Sequence, residues 1–177
     1  MIGLIESRPG EGTFIKKDPG HNILEPLSLM MLLEENSIEE LVELRRVLEV
    51  DSVRLAAERI EESELTVLKK YIEMLRLSSG FGEESVEADR MFHYTIAKAS
   101  NNKVLYYTMV SISEAMDFQI KNTRTKLVSH QDTMLVFLEQ HTKIYNAIKA
   151  KDSSTAMQMM NEHLDYVEKL IRNEITG

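Results

Sequence analysis

Apolar side chains recur every three or four residues along most of the chain, the spacing of amphipathic helices. Breaks rich in Ser, Gly and Asn divide this pattern into segments. The predicted helices cover approximately residues 23–33, 37–60, 63–78, 83–99, 104–120, 132–150 and 153–173. Short connections favour antiparallel neighbours, so the pattern predicts an all-α fold, an antiparallel bundle of six or seven helices.

Three positions stand out as helix boundaries. Ser37 is followed three residues later by Glu40, which is the spacing of a capping box at a helix start. Ser63 is the candidate N-cap of the next helix. Lys151 and Asp152 leave room only for a tight connection between the last two helices.

The first 15 residues do not follow the helical pattern. The stretch GLIESRPGEGTFI, residues 3–15, has Pro9 and Gly10 at a predicted turn and an alternating segment after it. A lone two-stranded hairpin is marginal in water. The sequence therefore predicts a short β-hairpin that is the remnant of a larger unit.

Composition supports a helical globular protein. The chain has 177 residues, 43% of them hydrophobic, with seven Gly, three Pro and no Cys. The lack of Cys excludes disulfides and thiolate metal sites. No apolar run approaches the roughly 20 residues of a membrane span, and no signal peptide is evident, so a cytoplasmic protein without a membrane partner is expected. The net charge of −8 argues against extensive contact with nucleic acid.

Histidines occupy the centres of otherwise apolar helix faces. His163 falls within the apolar stripe of the last helix, and His141 falls within that of the helix before it. Asp89 and His93 are four residues apart in the helix that begins near Glu83, so they point the same way. Three helices are thus predicted to send imidazole or carboxylate groups into the interior.

Two interpretations of these residues remain open from the residues alone. Each histidine could be a core residue bonded to a carbonyl, with Asp89 paired to one imidazole. Alternatively, the group could bind a divalent metal through three nitrogens and one oxygen. His21 and His130 lie in linker or polar surroundings and are expected to face solvent.

Arg45 shares an apolar helix face with Leu41 and Leu48. A glutamate of the helix interior could pair with it. Alternatively, its planar guanidinium could bind the carboxylate of a ligand. Together with a divalent cation held by one carboxylate, Arg45 would favour small anions.

Three segments resemble the FCD domain, the effector-binding half of the FadR subfamily of GntR-type transcriptional regulators. ELRRVLE at 43–49 with RLAA at 54–57 resembles the opening helix of that domain, and DRMFHYTI at 89–96 resembles its central helix. HTKIYNAI at 141–148, with Asp152, Ala156 and His163-Leu164, resembles the closing helix pair. The resemblance covers about residues 38–170.

The resemblance implies a metal held by one Asp and three His. These correspond to Asp89, His93, His141 and His163, with zinc as the first expectation and nickel, manganese or iron as alternatives. It also implies a homodimer and a small organic carboxylate effector that approaches the metal, with Arg45 as its anchor.

In that family a winged-helix domain that binds operator DNA precedes the bundle. Here only residues 1–16 could belong to it, as a remnant wing hairpin with Arg8 as a candidate DNA contact. Residues 17–36 would form a linker and short helix, and 37–177 the FCD-type domain. Operator DNA would then be bound only through the winged-helix domain, which is otherwise missing from the sequence.

The sequence thus predicts the metabolite-sensing, dimerising domain of a transcriptional regulator, and not an enzyme. One rival is a metal-dependent enzyme, because three His and one Asp could activate water. No separate general base accompanies the four candidate ligands, which counts against it. The other rival is a metal-free dimerisation scaffold.

Overall fold

The structure is a computed structural model that describes residues 5–15, 37–78, 82–113 and 131–176. The predicted linker and short helix at 17–36, the predicted continuation of the helix beyond residue 113, and His21 and His130 lie outside these described residues.

Six helices and one hairpin make up the described residues, which confirms the predicted all-α class. The hairpin consists of β1 (Ile5–Arg8) and β2 (Gly12–Ile15). The helices are α1 (Ser37–Arg59), α2 (Glu62–Leu77), α3 (Glu83–Ala99), α4 at residues 103–113, α5 (Gln131–Lys149) and α6 (Ser153–Thr176).

The hairpin is antiparallel, with Ile5 opposite Ile15 and Arg8 opposite Gly12. The N–H of Glu11 donates to the carbonyl of Arg8 at 3.1 Å and closes the turn. Pro9 and Gly10 are the central residues of this turn, and Gly10 has φ of 80°. Pro followed by a positive-φ Gly is typical of a type II turn. The predicted turn at Pro9 and Gly10 is thus confirmed.

The predicted cap at Ser63 is wrong. Helix α2 begins at Glu62, and its N-cap residue is Glu61, which has an extended backbone. The carboxylate of Glu64 accepts a hydrogen bond from the N–H of Glu61 at 3.2 Å, which is one half of a capping box. Ser63 therefore lies inside the first turn of α2 and does not cap it. The side chain that accepts from the N–H of Glu61 at the helix start is that of Glu64.

The connection between α5 and α6 is as tight as predicted. Lys151 has φ of 58°, its N–H donates to the Ile148 carbonyl, and the N–H of Asp152 donates to the Ala147 carbonyl. This pair of bonds is a Schellman motif. Asp152 also starts α6, because its carboxylate accepts from the N–H of Thr155 at 3.0 Å. One residue thus ends one helix and caps the next, which sets α6 antiparallel to α5.

Helix α1, the first of the described helices, lies along α6, the last of them. Helix α3 packs between α1 and α2, and α5 packs against α6. The fully buried centre is built from large side chains of α2, α3, α5 and α6: Leu68, Phe92, Ile96, Ile144, Ile148, Met160 and Leu164. This packing brings the middle of α3, α5 and α6 together.

Two long basic side chains tie helix ends to one another. Arg59 at the end of α1 donates to the Ser100 carbonyl after α3 at 2.6 Å, and Lys151 donates to the Ile60 carbonyl at 2.6 Å. Both bonds satisfy carbonyl groups at helix C-termini. Across the described residues, every helix is too short or too polar to cross a membrane.

Candidate metal centre

Four potential metal ligands meet at the centre of the bundle. Asp89 and His93 come from α3, His141 from α5 and His163 from α6. Each supplies one ligand atom, and these four atoms all lie within 4.8 Å of one another. The three histidines are buried, whereas the side chain of Asp89 is 22% exposed, so the carboxylate marks the open side of the group.

The shortest separations join the ring nitrogens and the carboxylate. The Nε2 atoms of His93 and His141 are 3.3 Å apart. Oδ1 of Asp89 lies 3.1 Å from Nε2 of His141 and 3.9 Å from Nε2 of His93. Atoms that ligate one zinc ion tetrahedrally at its usual bond lengths are about 3.3 Å apart. The two shortest separations therefore fit a shared ion.

Each histidine uses its other ring nitrogen, Nδ1, to meet an acceptor. His141 donates to the Phe137 carbonyl at 2.7 Å, and His163 donates to Oε1 of Gln140 at 2.9 Å. Nδ1 of His93 lies 2.5 Å from Oε2 of Glu49. An acceptor at Nδ1 keeps the hydrogen on that atom and leaves the Nε2 lone pair for a metal.

The contact between His93 and Glu49 is short, but its direction departs from that of a regular hydrogen bond. Among the described residues, neither Nδ1 of His93 nor Oε2 of Glu49 makes a regular hydrogen bond, although both atoms are buried. The two atoms are nevertheless closer than in a typical N–H···O bond. Proximity to a carboxylate favours the Nδ1–H form of His93.

Aromatic rings line the group of four potential metal ligands. Phe92 packs edge-on against His141 with centroids 4.7 Å apart, and Phe137 packs edge-on against His163 at 5.5 Å. His93 and His163 are stacked at 5.2 Å. The phenyl rings make the surroundings of the histidines apolar, which strengthens electrostatic interactions there.

Burial lowers the pKa of His163 well below its usual value of 6.5, and the neighbouring His141 and His93 lower it further. His163 is therefore neutral near pH 7, which is the form that binds metals. When both rings carry their hydrogen on Nδ1, the lone pairs at Nε2 of His93 and His141 face each other at 3.3 Å. A divalent ion would resolve this repulsion, so the donor set fits a metal.

Glu49 is a buried charge at this centre that the sequence interpretation missed. Burial raises its pKa, but Arg45 and then His93 outweigh that effect and bring the pKa from 4.5 down to about 2. Glu49 is therefore ionised. Its spacing offered a signal, because Glu49 follows Arg45 by four residues on the same face of α1.

Arg45 is 7% exposed, as its apolar face predicted. Its Nε atom is ion-paired with Oε1 of Glu49, so the structure has the intrahelical partner that was one of the two alternatives. The other carboxylate oxygen of Glu49 lies beside Nδ1 of His93, so Glu49 links Arg45 to the four clustered residues.

Arg8 belongs to the hairpin and not to this cluster. Its side chain is exposed, lies 3.6 Å from the carboxylate of Glu11, and sits over the ring of Phe14 at 5.3 Å from the centroid.

Comparisons with known proteins agree with this architecture. Residues 40–166 match the FCD domain. LutR, an HTH-type transcriptional regulator of Bacillus subtilis (strain 168), is 32% identical over 171 residues, which are 96% of this chain and 78% of LutR. The Glc operon transcriptional activator of Escherichia coli (strain K12) is 26% identical, and the alignment covers 99% of this chain and 71% of that protein.

Solved structures share the fold. A GntR protein of Streptococcus agalactiae superposes with a TM-score of 0.71 at 24% identity and covers 95% of this chain and 75% of its own. The Escherichia coli protein McbR/YncC superposes with a TM-score of 0.70 at 16% identity, over 97% of this chain and 79% of its own.

The match to the FCD domain covers most of the described bundle, including all four clustered residues. The relatives are named as regulators of transcription, which confirms the prediction of a regulator instead of an enzyme. This chain belongs to the FCD domain family of GntR-type transcriptional regulators.

Proposed function

We propose that this chain is the metabolite-sensing and dimerising part of a FadR-subfamily regulator, and that it binds one divalent metal ion and one small organic carboxylate. The observation that carries the proposal is the meeting of Asp89 with three buried histidines whose Nδ1 atoms all face acceptors. Such acceptors orient imidazole ligands in metal proteins.

Asp89, His93, His141 and His163 hold the metal in this proposal. Zinc suits three imidazole nitrogens and one carboxylate oxygen, and nickel, manganese and iron compete for the same donor set. When bound, the ion supplies positive charge and a Lewis-acid centre that attracts the carboxylate of a metabolite. The partly exposed Asp89 lies on the side from which a small molecule can approach.

Arg45 is the proposed anchor for the effector carboxylate. Its guanidinium offers several N–H donors in a planar fork, which matches a carboxylate. Glu49 balances the charge of Arg45, so the attraction for an anion comes mainly from the metal. Arg45 then contributes orientation, because its place in α1 is fixed by the buried ion pair with Glu49.

Regulation follows from linkage between effector binding and the arrangement of two chains in a homodimer. An effector that binds one arrangement more tightly shifts the dimer toward it. In the proposed organisation, residues 1–16 are the end of the winged helix, 17–36 the linker with a short helix, and 37–177 the sensing domain. Operator DNA is bound through the winged helix, with Arg8 on its wing, in the cytoplasm.

Metal analysis of the purified protein tests the central part of this proposal. We expect about one zinc or other divalent ion per chain after dialysis against metal-free buffer. His141→Ala should lose it, because His141 contributes a ligand and stands next to two others. A His141→Ala variant with full metal content would contradict the assignment, and metal-free wild-type protein that melts identically with and without zinc would favour the scaffold.

A panel of small carboxylic acids, titrated by calorimetry into zinc-loaded protein, tests the effector site. Arg45→Ala should weaken binding of the best acid by about 10-fold or more, the worth of one charge-assisted contact. Arg54→Ala is the matched control, because Arg54 lies on the same helix in an exposed ion pair with Glu58. Equal binding by wild type and Arg45→Ala would remove Arg45 from the site.

A further inference from the structure

Glu49 joins the proposed effector anchor to a proposed metal ligand. It is 2% exposed, its Oε1 atom is ion-paired with Arg45, and its Oε2 atom lies 2.5 Å from Nδ1 of His93. We infer that Glu49 is a positioning residue of the metal centre, which holds the His93 ring so that Nε2 faces Asp89 and the other histidines. This inference rests on the proposed function, because its subject is a ligand of that metal.

The origin of the acceptors distinguishes His93 from the other two histidines. His141 and His163 both meet acceptors supplied by α5, at Phe137 and Gln140. The acceptor for His93 comes from α1, a helix that contributes none of the four clustered ligands. The packing of α1 against α3 therefore sets the rotation of the His93 ring.

The side chain of Glu49 ties α1 to the centre. The carboxylate of Glu49 spans from Arg45 on its own helix to His93 on α3. A movement of the Arg45 guanidinium therefore displaces the carboxylate of Glu49, which in turn shifts the imidazole of His93. Helix α1 carries the proposed effector anchor. Glu49 thus couples the position of this helix to that of the metal ligand His93.

A counter-charge for Arg45 would be a simpler role for Glu49. That role requires closeness to Arg45 alone and does not require the short contact with His93. Helix α1 contains a matched pair with the same spacing, Arg54 and Glu58, at 3.2 Å on the exposed surface. That pair lies outside the four-ligand group and serves as the control.

The main comparison changes Glu49 in proteins that lack Arg45, so that the change leaves no buried arginine without its partner. Zinc affinity is measured by competition with a chelating dye for Arg45→Met, Arg45→Met/Glu49→Gln and Arg45→Met/Glu49→Met. The visible absorption spectrum of the cobalt-substituted proteins reports the ligand geometry directly, which a loss of stability alone would not alter.

We expect Arg45→Met/Glu49→Met to bind zinc about 10- to 100-fold more weakly than Arg45→Met, the usual effect of removing the partner that orients a ligand. Its cobalt spectrum should also change. Arg45→Met/Glu49→Gln should recover most of the affinity, because the amide places an oxygen acceptor beside Nδ1 of His93. Arg54→Met/Glu58→Met should bind zinc as the wild type does.

Equal zinc affinities and cobalt spectra for Arg45→Met and Arg45→Met/Glu49→Met would overturn the inference. Should the latter variant not fold, Glu49→Asp takes its place, since it keeps the charge beside Arg45 but withdraws the carboxylate from His93. Unchanged zinc binding by Glu49→Asp would also overturn it. A wild type that binds neither zinc nor another divalent ion would defeat the proposed function together with the inference, whereas equal affinities defeat the inference alone.

Discussion

Metal removal should destabilise the bundle more than any change on its surface, because the ligands join three separate helices. Asp89 and His93 lie on α3, His141 on α5 and His163 on α6. Without an ion, two Nε2 atoms 3.3 Å apart must share a proton or move away from each other. Either response weakens the packing of the rings against Phe92 and Phe137.

The magnitude follows from mass action. At a free zinc concentration 100 times the dissociation constant, binding to the native state alone adds about 2.7 kcal/mol to the free energy of unfolding. For a chain of this length each kcal/mol corresponds to roughly 2–4 °C in Tm. Zinc at that concentration should therefore raise the Tm by about 5–11 °C.

Thermal unfolding followed by circular dichroism measures this difference. Chelator-stripped protein is compared at one fixed protein concentration, with and without buffered free zinc, because dimerisation also affects Tm. His141→Ala, which lacks one ligand, is the control and should show little response to zinc. Equal melting temperatures for the wild type in both conditions would refute the role of the four residues as a metal site.

Three further outcomes are expected. Gln140→Leu removes the acceptor at Nδ1 of His163 and should weaken zinc binding about 10- to 100-fold in the same dye competition; unchanged affinity would contradict this. Phe92→Ala leaves a cavity in the fully buried centre and should lower the free energy of unfolding, measured in urea, by about 3–5 kcal/mol. A loss smaller than that caused by an alanine substitution at an exposed position would be inconsistent with the burial of Phe92. Asp152→Ala should lower the Tm, and Asp152→Asn, which can still cap but carries no charge, should lower it less. Bonds from Thr155 lower the pKa of Asp152 below 3.8, so its stabilisation is present above pH 3.8 and is lost as the pH falls through the lower folded-state pKa. A Tm difference between wild type and Asp152→Ala that persists at still lower pH would argue against the carboxylate as its source.

Residue spacing was sufficient to predict the helices and the burial of their histidines. The period of 3.6 residues depends only on local backbone geometry, so it identified α3 at residues 83–99 and placed His141 and His163 on inward faces. The turn at Lys151 and Asp152 was likewise local. Ser63 was misplaced because several polar residues can cap a helix start, and the choice between them depends on hydrogen bonds that spacing does not determine.

Tertiary structure alone decided which buried groups meet. Glu49 and His93 are 44 positions apart, and His93 and His141 are 48 apart, so their contacts depend on how α1, α3 and α5 cross and rotate. The sequence by itself determined that histidines, an aspartate and Arg45 turn inward. Only the packing of the helices determined that Glu49 joins Arg45 to His93, because a helix face specifies a direction but not the partner it will encounter.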